Sequence, residues 1–314
     1  MPLSSPIKIA ILDDYQNVAL SLADWTAVRA RAEITVFHDT LRDPDEVVAR
    51  LLPFEAVCVM RERTPLPRGI LERLPNLTFI ASTGGRNASI DLAAAQERGI
   101  TVAHTGYVGS PTVELAWALI LGVARNIVTE ANAVRDGGWQ KTLGIGLQGK
   151  TLGLLGLGNV GGGVARIGQA FGMTTVAWSQ NLTPDKATAH GAIRVEKEEL
   201  FAQADFLSVH LVLSDRSRGI VDARALSLMK PTAFLINTSR GPIVDQAALI
   251  EVLTSRAIAG AAVDVYDEEP LPADHPFRRL EGLLATPHIG YVSRELYQTF
   301  YRDTVANLMA WLDG

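Results

Sequence analysis

Residues 151–171, TLGLLGLGNVGGGVARIGQAF, constrain this chain more than any other stretch, because they dictate a local geometry and a kind of ligand at once. A short apolar run at 152–155 reads as a buried strand, and it breaks into Gly156, Gly158 and Gly161. A helix follows, with Val164, Ile167 and Phe171 at apolar spacing. In such a strand–turn–helix the first glycine permits the tight turn and the second lets a pyrophosphate approach the backbone. The third lets helix and strand pack closely, and the free N–H groups of the first helical turn, from Asn159 and Val160 onward, face the anion. A second strand at 174–178 follows at the spacing of a βαβ unit, which favours a dinucleotide turn over an ordinary glycine turn.

An acidic residue is expected about 20 positions on, to hold the adenosine ribose 2′-hydroxyl. Ser179, Gln180 and Asn181 stand there instead. A carboxylate would repel a 2′-phosphate, so its absence removes discrimination against NADP, and no arginine in SQN selects for it. The sequence therefore predicts a nicotinamide dinucleotide and leaves NAD and NADP both open.

At 314 residues the chain has room for two domains. A net charge of −5 with mixed signs argues against a nucleic-acid footprint, which needs a clustered basic face. The single cysteine, Cys58 in AVCVM, excludes an intramolecular disulfide framework, reads as a buried strand residue and favours a reduced cytoplasmic setting. The opening MPLSSPIKIAILDD has no basic region followed by a long apolar core, so no secretory signal is expected. The most apolar stretch, 115–124, is too short to span a bilayer, and no membrane partner is expected. No metal-ligand set is read in the chain.

Ahead of the glycine turn, strand and helix signals alternate. Strands are expected at 7–12, 34–37, 56–60, 77–81 and 101–103, and helices at 20–29, from Asp43-Pro44, and at 90–98 up to Gly99. That alternation implies a small parallel sheet covered by helices. Two loops at its strand ends stand out. Arg61, Glu62, Arg63 and Thr64 form either a ligand-contacting loop or a solvated charge cluster. In STGGRNAS, Gly84 and Gly85 could let backbone N–H groups converge on a carboxylate, or form an ordinary turn. The apolar helix at 110–123 has no clean polar face, which suggests burial between domains or subunits. Further strands are expected at 206–209, 233–237, 259–263 and 283–285, and a closing helix at 292–312 is expected to return to the first unit. Two crossings between units would make a hinged cleft.

Three polar residues sit just past strand ends of the cofactor unit: Arg240 after INTS, Glu269 in DEEP and His288 in TPHIG. The carboxyl ends of parallel strands share one edge, so these side chains could converge beside a cofactor. Hydride transfer to a 2-oxo acid needs a cation on the substrate carboxylate, an acid for the developing alkoxide, and a carboxylate beside that acid to favour its protonated form. Arginine, histidine and glutamate supply these. Each taken singly also reads as a surface, capping or satisfied polar residue, and Glu268 rivals Glu269.

Over nearly its whole length the chain resembles the D-isomer-specific 2-hydroxyacid dehydrogenases, the family of D-glycerate, glyoxylate or hydroxypyruvate, and 3-phosphoglycerate dehydrogenases. The matching segments, in order, are SIDLAAAQERGITV, GLGNVG, INTSRGPIVD, AAVDVYDEEP and TPHIG. The resemblance implies Arg240 as substrate clamp, Glu269 as partner of the histidine and His288 as acid and base. It implies that Thr238 lies with the cofactor, that Asp264 faces the nicotinamide carboxamide, that the backbone at Gly85 and Arg86 receives the substrate carboxylate with Arg61 nearby, and that the 110–123 helix belongs to a homodimer interface. Departures are Arg86 where a second spaced glycine is common and Val212 where proline is usual; formate dehydrogenases carry glutamine at the position of Glu269. The RERT loop resembles that of phosphoglycerate dehydrogenases, so a phosphorylated substrate stays open.

The expected architecture is α/β: a Rossmann cofactor domain at 104–291 inserted in a flavodoxin-like substrate domain at 1–103 and 292–314, both with parallel sheets. The expected function is reversible reduction of a small 2-oxo acid to the D-2-hydroxy acid with NAD or NADP. The alternative is an NAD(H)-sensing, corepressor-like binding module on the same fold.

Overall fold

The structure is a computed structural model that describes residues 6–314; residues 1–5, within the stretch read as lacking a secretory signal, lie outside the described residues. The described chain forms two compact units, one reaching to Val108 and resuming at Val292–Gly314, the other Gly109–Tyr291. The first crossing thus lies five residues beyond the expected boundary at 103. Thr105 N–H donates to the Ser82 carbonyl, Gly106 N–H to Asp303, and Tyr107 stacks on Phe300, so residues 105–107 stay with the first unit.

In the first unit, strands β1 (Ile7–Ile11), β2 (Ala32–Val36), β3 (Ala56–Val59), β4 (Phe79–Ser82) and β5 (Thr101–His104) make one parallel sheet in the order β2-β1-β3-β4-β5. This is the flavodoxin-like order. The expected cap at Asp43 forms, accepting from Asp45 N–H and Glu46 N–H, and the helix expected from residue 90 starts after Asp91, which accepts from Ala94 N–H. The helix expected at 20–29 does not form as one piece. Asp14 accepts from Val18 N–H and Ala19 N–H, Asp24 accepts from Thr26 N–H, and the Trp25 indole donates to the Ala19 carbonyl. These side-chain bonds compete with the helical ladder and leave a 3₁₀ turn, Ala19–Ser21, and a short helix, Thr26–Arg29. The helix Arg294–Asp313 packs on the same sheet, with Trp311 stacked on Phe79. Cys58 is buried in β3, where burial pushes its thiol up to about 12.

The second unit carries β6 (Thr151–Leu155), β7 (Thr174–Trp178), β8 (Ile193–Arg194), β9 (Phe206–Val209), β10 (Phe234–Asn237), β11 (Gly260–Val263) and β12 (Leu283–Ala285). All are parallel, in the order β12-β11-β10-β9-β6-β7-β8. Read from its first strand, that is the Rossmann order with one strand added. The two-residue β8 has no apolar run to announce it and is absent from the sequence reading. The helix Ser110–Ala124 buries Val113, Ala116, Trp117, Leu119 and Ile120 inside this unit, against Leu152, Leu154, Val164 and Phe206. More than half of its residues are thus buried within its own unit. Among the described residues no single helix is long and apolar enough to cross a membrane.

Phe206 is fully buried in the centre of this sheet and stacks on Phe234 at 5.4 Å. Phe206→Ala is expected to destabilise the second unit by about 3–5 kcal/mol, read from denaturant unfolding. A change below about 1 kcal/mol would place the core elsewhere.

Candidate active site

The glycine turn is closed by backbone on two sides and open on the third. Gly156 has φ +105°, and a Cβ there would lie 2.7 Å from the His210 carbonyl group. At Gly161 a Cβ would lie 2.2 Å from the Gly156 carbonyl oxygen, so only glycine lets the helix Asn159–Ala170 start so close to β6. Around Gly158 a Cβ would meet nothing within 4 Å, and no side chain caps this helix. The first-turn N–H groups of Asn159, Val160 and Gly161 are thus presented at an open face, the geometry an anion takes up. Past β7, Ser179 is half-buried and Gln180 exposed, with no carboxylate between them and Asn181. Arg194 is spent on the Leu182 carbonyl and Glu196.

At the carboxyl ends of β10, β11 and β12 the predicted triad comes together in part by direct contact. His288 Nδ1 lies 2.5 Å from Glu269 Oε2, and Glu269 Oε1 accepts from Tyr266 N–H at 2.9 Å. Burial alone would raise the Glu269 carboxyl. The His288 hydrogen bond and charge, the Tyr266 N–H and the Arg240 guanidinium outweigh it and hold the group below its ordinary value. Glu269, not Glu268, is therefore the partner of the imidazole. Arg240 reaches Glu269 through its charge, while its Nη1 donates to the Ser239 carbonyl at 2.8 Å. The next residue explains the convergence: a Cβ on Gly241 would lie 2.1 Å from the Tyr266 carbonyl carbon, so the Arg240 and Glu269 loops touch backbone to backbone.

His288 itself has φ +53°, a conformation a non-glycine residue adopts only when its surroundings impose it. Asp264 imposes it. Fully buried, Asp264 accepts from Thr286 Oγ1 at 2.6 Å, Ile289 N–H at 2.8 Å and Gly290 N–H at 2.8 Å. Burial raises its carboxyl despite those bonds. Both its oxygens accept from the turn that carries His288. Tyr266 closes the same turn by donating from its hydroxyl to the Thr286 carbonyl at 2.8 Å.

The remaining expected residues fall as follows. Thr238 is buried just past β10 with its Oγ1 lacking a protein partner. In the first unit, Gly85 and Arg86 are exposed on the loop after β4. Arg61 (φ +53°) folds over that loop: its Nη1 donates to the Thr83 carbonyl at 3.2 Å, its guanidinium lies 5.2 Å from the Tyr107 ring centre, and a Cβ on Gly84 would strike it. His210 escaped the sequence reading. It follows β9 as Arg240 and His288 follow their strands, which was the signal for it. Its backbone lies against Gly156, its Nε2 is sealed from solvent with no hydrogen-bond partner, and desolvation pushes the ring down to about 4.

A family model, "D-isomer specific 2-hydroxyacid dehydrogenase, NAD binding domain", matches residues 117–290, more than half of the chain. The chain belongs to the D-isomer specific 2-hydroxyacid dehydrogenase family. It is similar to a glyoxylate reductase of Thermococcus litoralis, 36% identical over 90% of this chain and 88% of that one. It is similar also to a hydroxypyruvate reductase of Blautia hydrogenotrophica, 30% identical over 98% of each. Among solved structures, a phosphoglycerate oxidoreductase from Vibrio cholerae O395 superposes with a TM-score of 0.92 at 38% identity, covering 98% of this chain and 99% of that one. This dehydrogenase is thus an oxidoreductase of 2-hydroxy acids that uses a nicotinamide cofactor. The residues fit such a group: the Gly156–Gly161 turn leaves room at Gly158 for a pyrophosphate, and the helix behind it offers uncapped N–H donors.

Gly161→Ala forces a methyl onto the Gly156 carbonyl, which cannot yield without moving the turn. NADH affinity, followed by fluorescence titration, is expected to fall at least about 10-fold while the first unit keeps its fold; an unchanged Kd would separate the turn from the cofactor.

Proposed function

We propose that this dehydrogenase reversibly reduces a small 2-oxo acid to its D-2-hydroxy acid, with His288 as acid and base, Glu269 as its partner and Arg240 as the clamp on the substrate carboxylate. The single observation that carries the reading is the His288–Glu269 pair at the sheet edge that also ends in the glycine turn. When bound, the nicotinamide supplies or takes up the hydride. With Nδ1 turned to Glu269, His288 has Nε2 left to give a proton to the substrate oxygen in reduction and to take it back in oxidation. The Glu269 charge stabilises the imidazolium that gives up that proton. Arg240 offers a planar fork that a point charge cannot replace. Gly156, Gly158, Asn159, Val160, Gly161 and Thr238 are proposed for the cofactor, and the first unit for the substrate, through Gly85, Arg86 and Arg61. The names of the similar proteins, glyoxylate and hydroxypyruvate reductases, make those two acids the first substrates to test. They favour catalysis over the sensing alternative.

On the cofactor, the reading is that NADH and NADPH are both accepted, because Ser179, Gln180 and Asn181 neither repel nor clamp a 2′-phosphate. A homodimer is proposed from the apolar side chains left outside after the Ser110–Ala124 helix: Ile127, Val134, Trp139 and Leu143 are 52%, 58%, 75% and 94% exposed. The cytoplasm is the proposed compartment, in keeping with a lone buried thiol.

A spectrophotometric screen of NADH and NADPH against glyoxylate, hydroxypyruvate, pyruvate and bulkier 2-oxo acids tests the activity. His288→Ala is expected to lower turnover by roughly 10²-fold or more with cofactor affinity retained. Arg240→Lys is expected to lower kcat/KM; wild-type values in either variant would remove the assigned role. For the cofactor, kcat/KM with the two nucleotides is expected to differ by less than about 10-fold, and Gln180→Asp to shift the balance toward NADH. A wild-type preference far beyond that would show another residue reading the 2′-position.

A further inference from the structure

Glu269 and the backbone do not by themselves fix the His288 ring. The hydrogen bond at Nδ1 holds one ring atom, and the turn pinned by Asp264 holds the Cα, but the last torsion of a histidine is a broad one. A swing about that torsion would carry Nε2 away from its line of approach while costing the Nδ1 bond only part of its geometry. One side chain stands against this. The Tyr291 ring lies 5.5 Å from the imidazole, centre to centre, with the planes 78° apart, an edge-to-face arrangement. Tyr291 is itself buried, at 5% exposure, and its own backbone is anchored through Gly290, whose N–H binds Asp264 and whose carbonyl accepts from Thr112 Oγ1 at 3.0 Å. A Cβ on Gly290 would lie 3.2 Å from Asp264 Oδ2, 3.6 Å from Thr112 and 3.7 Å from Leu115, so the residue before Tyr291 has no slack.

We propose that Tyr291 is a positioning residue: its ring is the stop that orients the His288 imidazole so that Nε2 points where the proton must be exchanged. The inference rests on the reading of His288 as acid and base. A second feature of the turn supports it. His288 has a left-handed backbone in which an ordinary side chain has few comfortable rotamers, and a rigid neighbour selects among them.

The test compares Tyr291→Leu, which fills much of the volume without a ring, with Tyr291→Phe, which keeps the ring. Each is measured for kcat, substrate KM, NADH Kd and thermal midpoint beside wild type and His288→Ala. Tyr291→Leu is expected to lower kcat by about 5- to 10-fold, the loss of one aromatic pair converted to rate, with NADH Kd unchanged. Tyr291→Phe is expected to restore kcat to within about twofold of wild type. Wild-type kcat in Tyr291→Leu overturns the proposal, as does an equal loss in Tyr291→Phe, which would put the effect in the hydroxyl. A rise in NADH Kd or a fall in thermal midpoint that accounts for the whole activity loss overturns it too, by making the role structural. If His288→Ala is as active as wild type, the acid–base reading itself fails, an outcome distinct from all of these.

Discussion

The loop that carries His288 depends on one buried carboxylate. Asp264, at the end of β11, is enclosed completely and accepts hydrogen bonds from Thr286, Ile289 and Gly290 on the loop after β12. Such a group would be costly to bury without partners, and the loop is what supplies them. In exchange the loop is forced into one shape, with His288 left-handed and its ring delivered to Glu269. Two strand ends are joined by one buried carboxyl group, and the His288–Glu269 pair follows from that joint.

Glycine does the complementary work by absence of a side chain. Gly161 lets the helix start against β6, Gly156 passes beneath the His210 backbone, and Gly241 lets the Arg240 loop touch Tyr266. At each place any side chain would meet backbone, which cannot rotate out of the way. The site therefore sits where loops approach closely, and its polar residues are held by neighbours within the same unit.

Much of this was legible in residue order. The glycine spacing with strand before and helix after, the capping aspartate at 43, and the positions of Arg240, Glu269 and His288 past apolar runs follow from local rules. The reading failed where local rules have competitors. The 20–29 segment has helical spacing, but Asp14, Asp24 and Trp25 capture its backbone groups. The two-residue β8 has no apolar run of its own, and its pairing with β7 is what makes it a strand.

What the amino-acid sequence determined alone is the parallel α/β class, the dinucleotide turn and the identity of the polar residues at the strand ends, because these depend on periodicity and spacing along the chain. Only the tertiary structure decided that Glu269 rather than Glu268 meets His288, that Asp264 turns inward to the 286–290 loop, and that Tyr291 lies edge-to-face on the imidazole. Each of those depends on which atoms of distant segments come within a few ångströms, and the order of residues does not encode such distances.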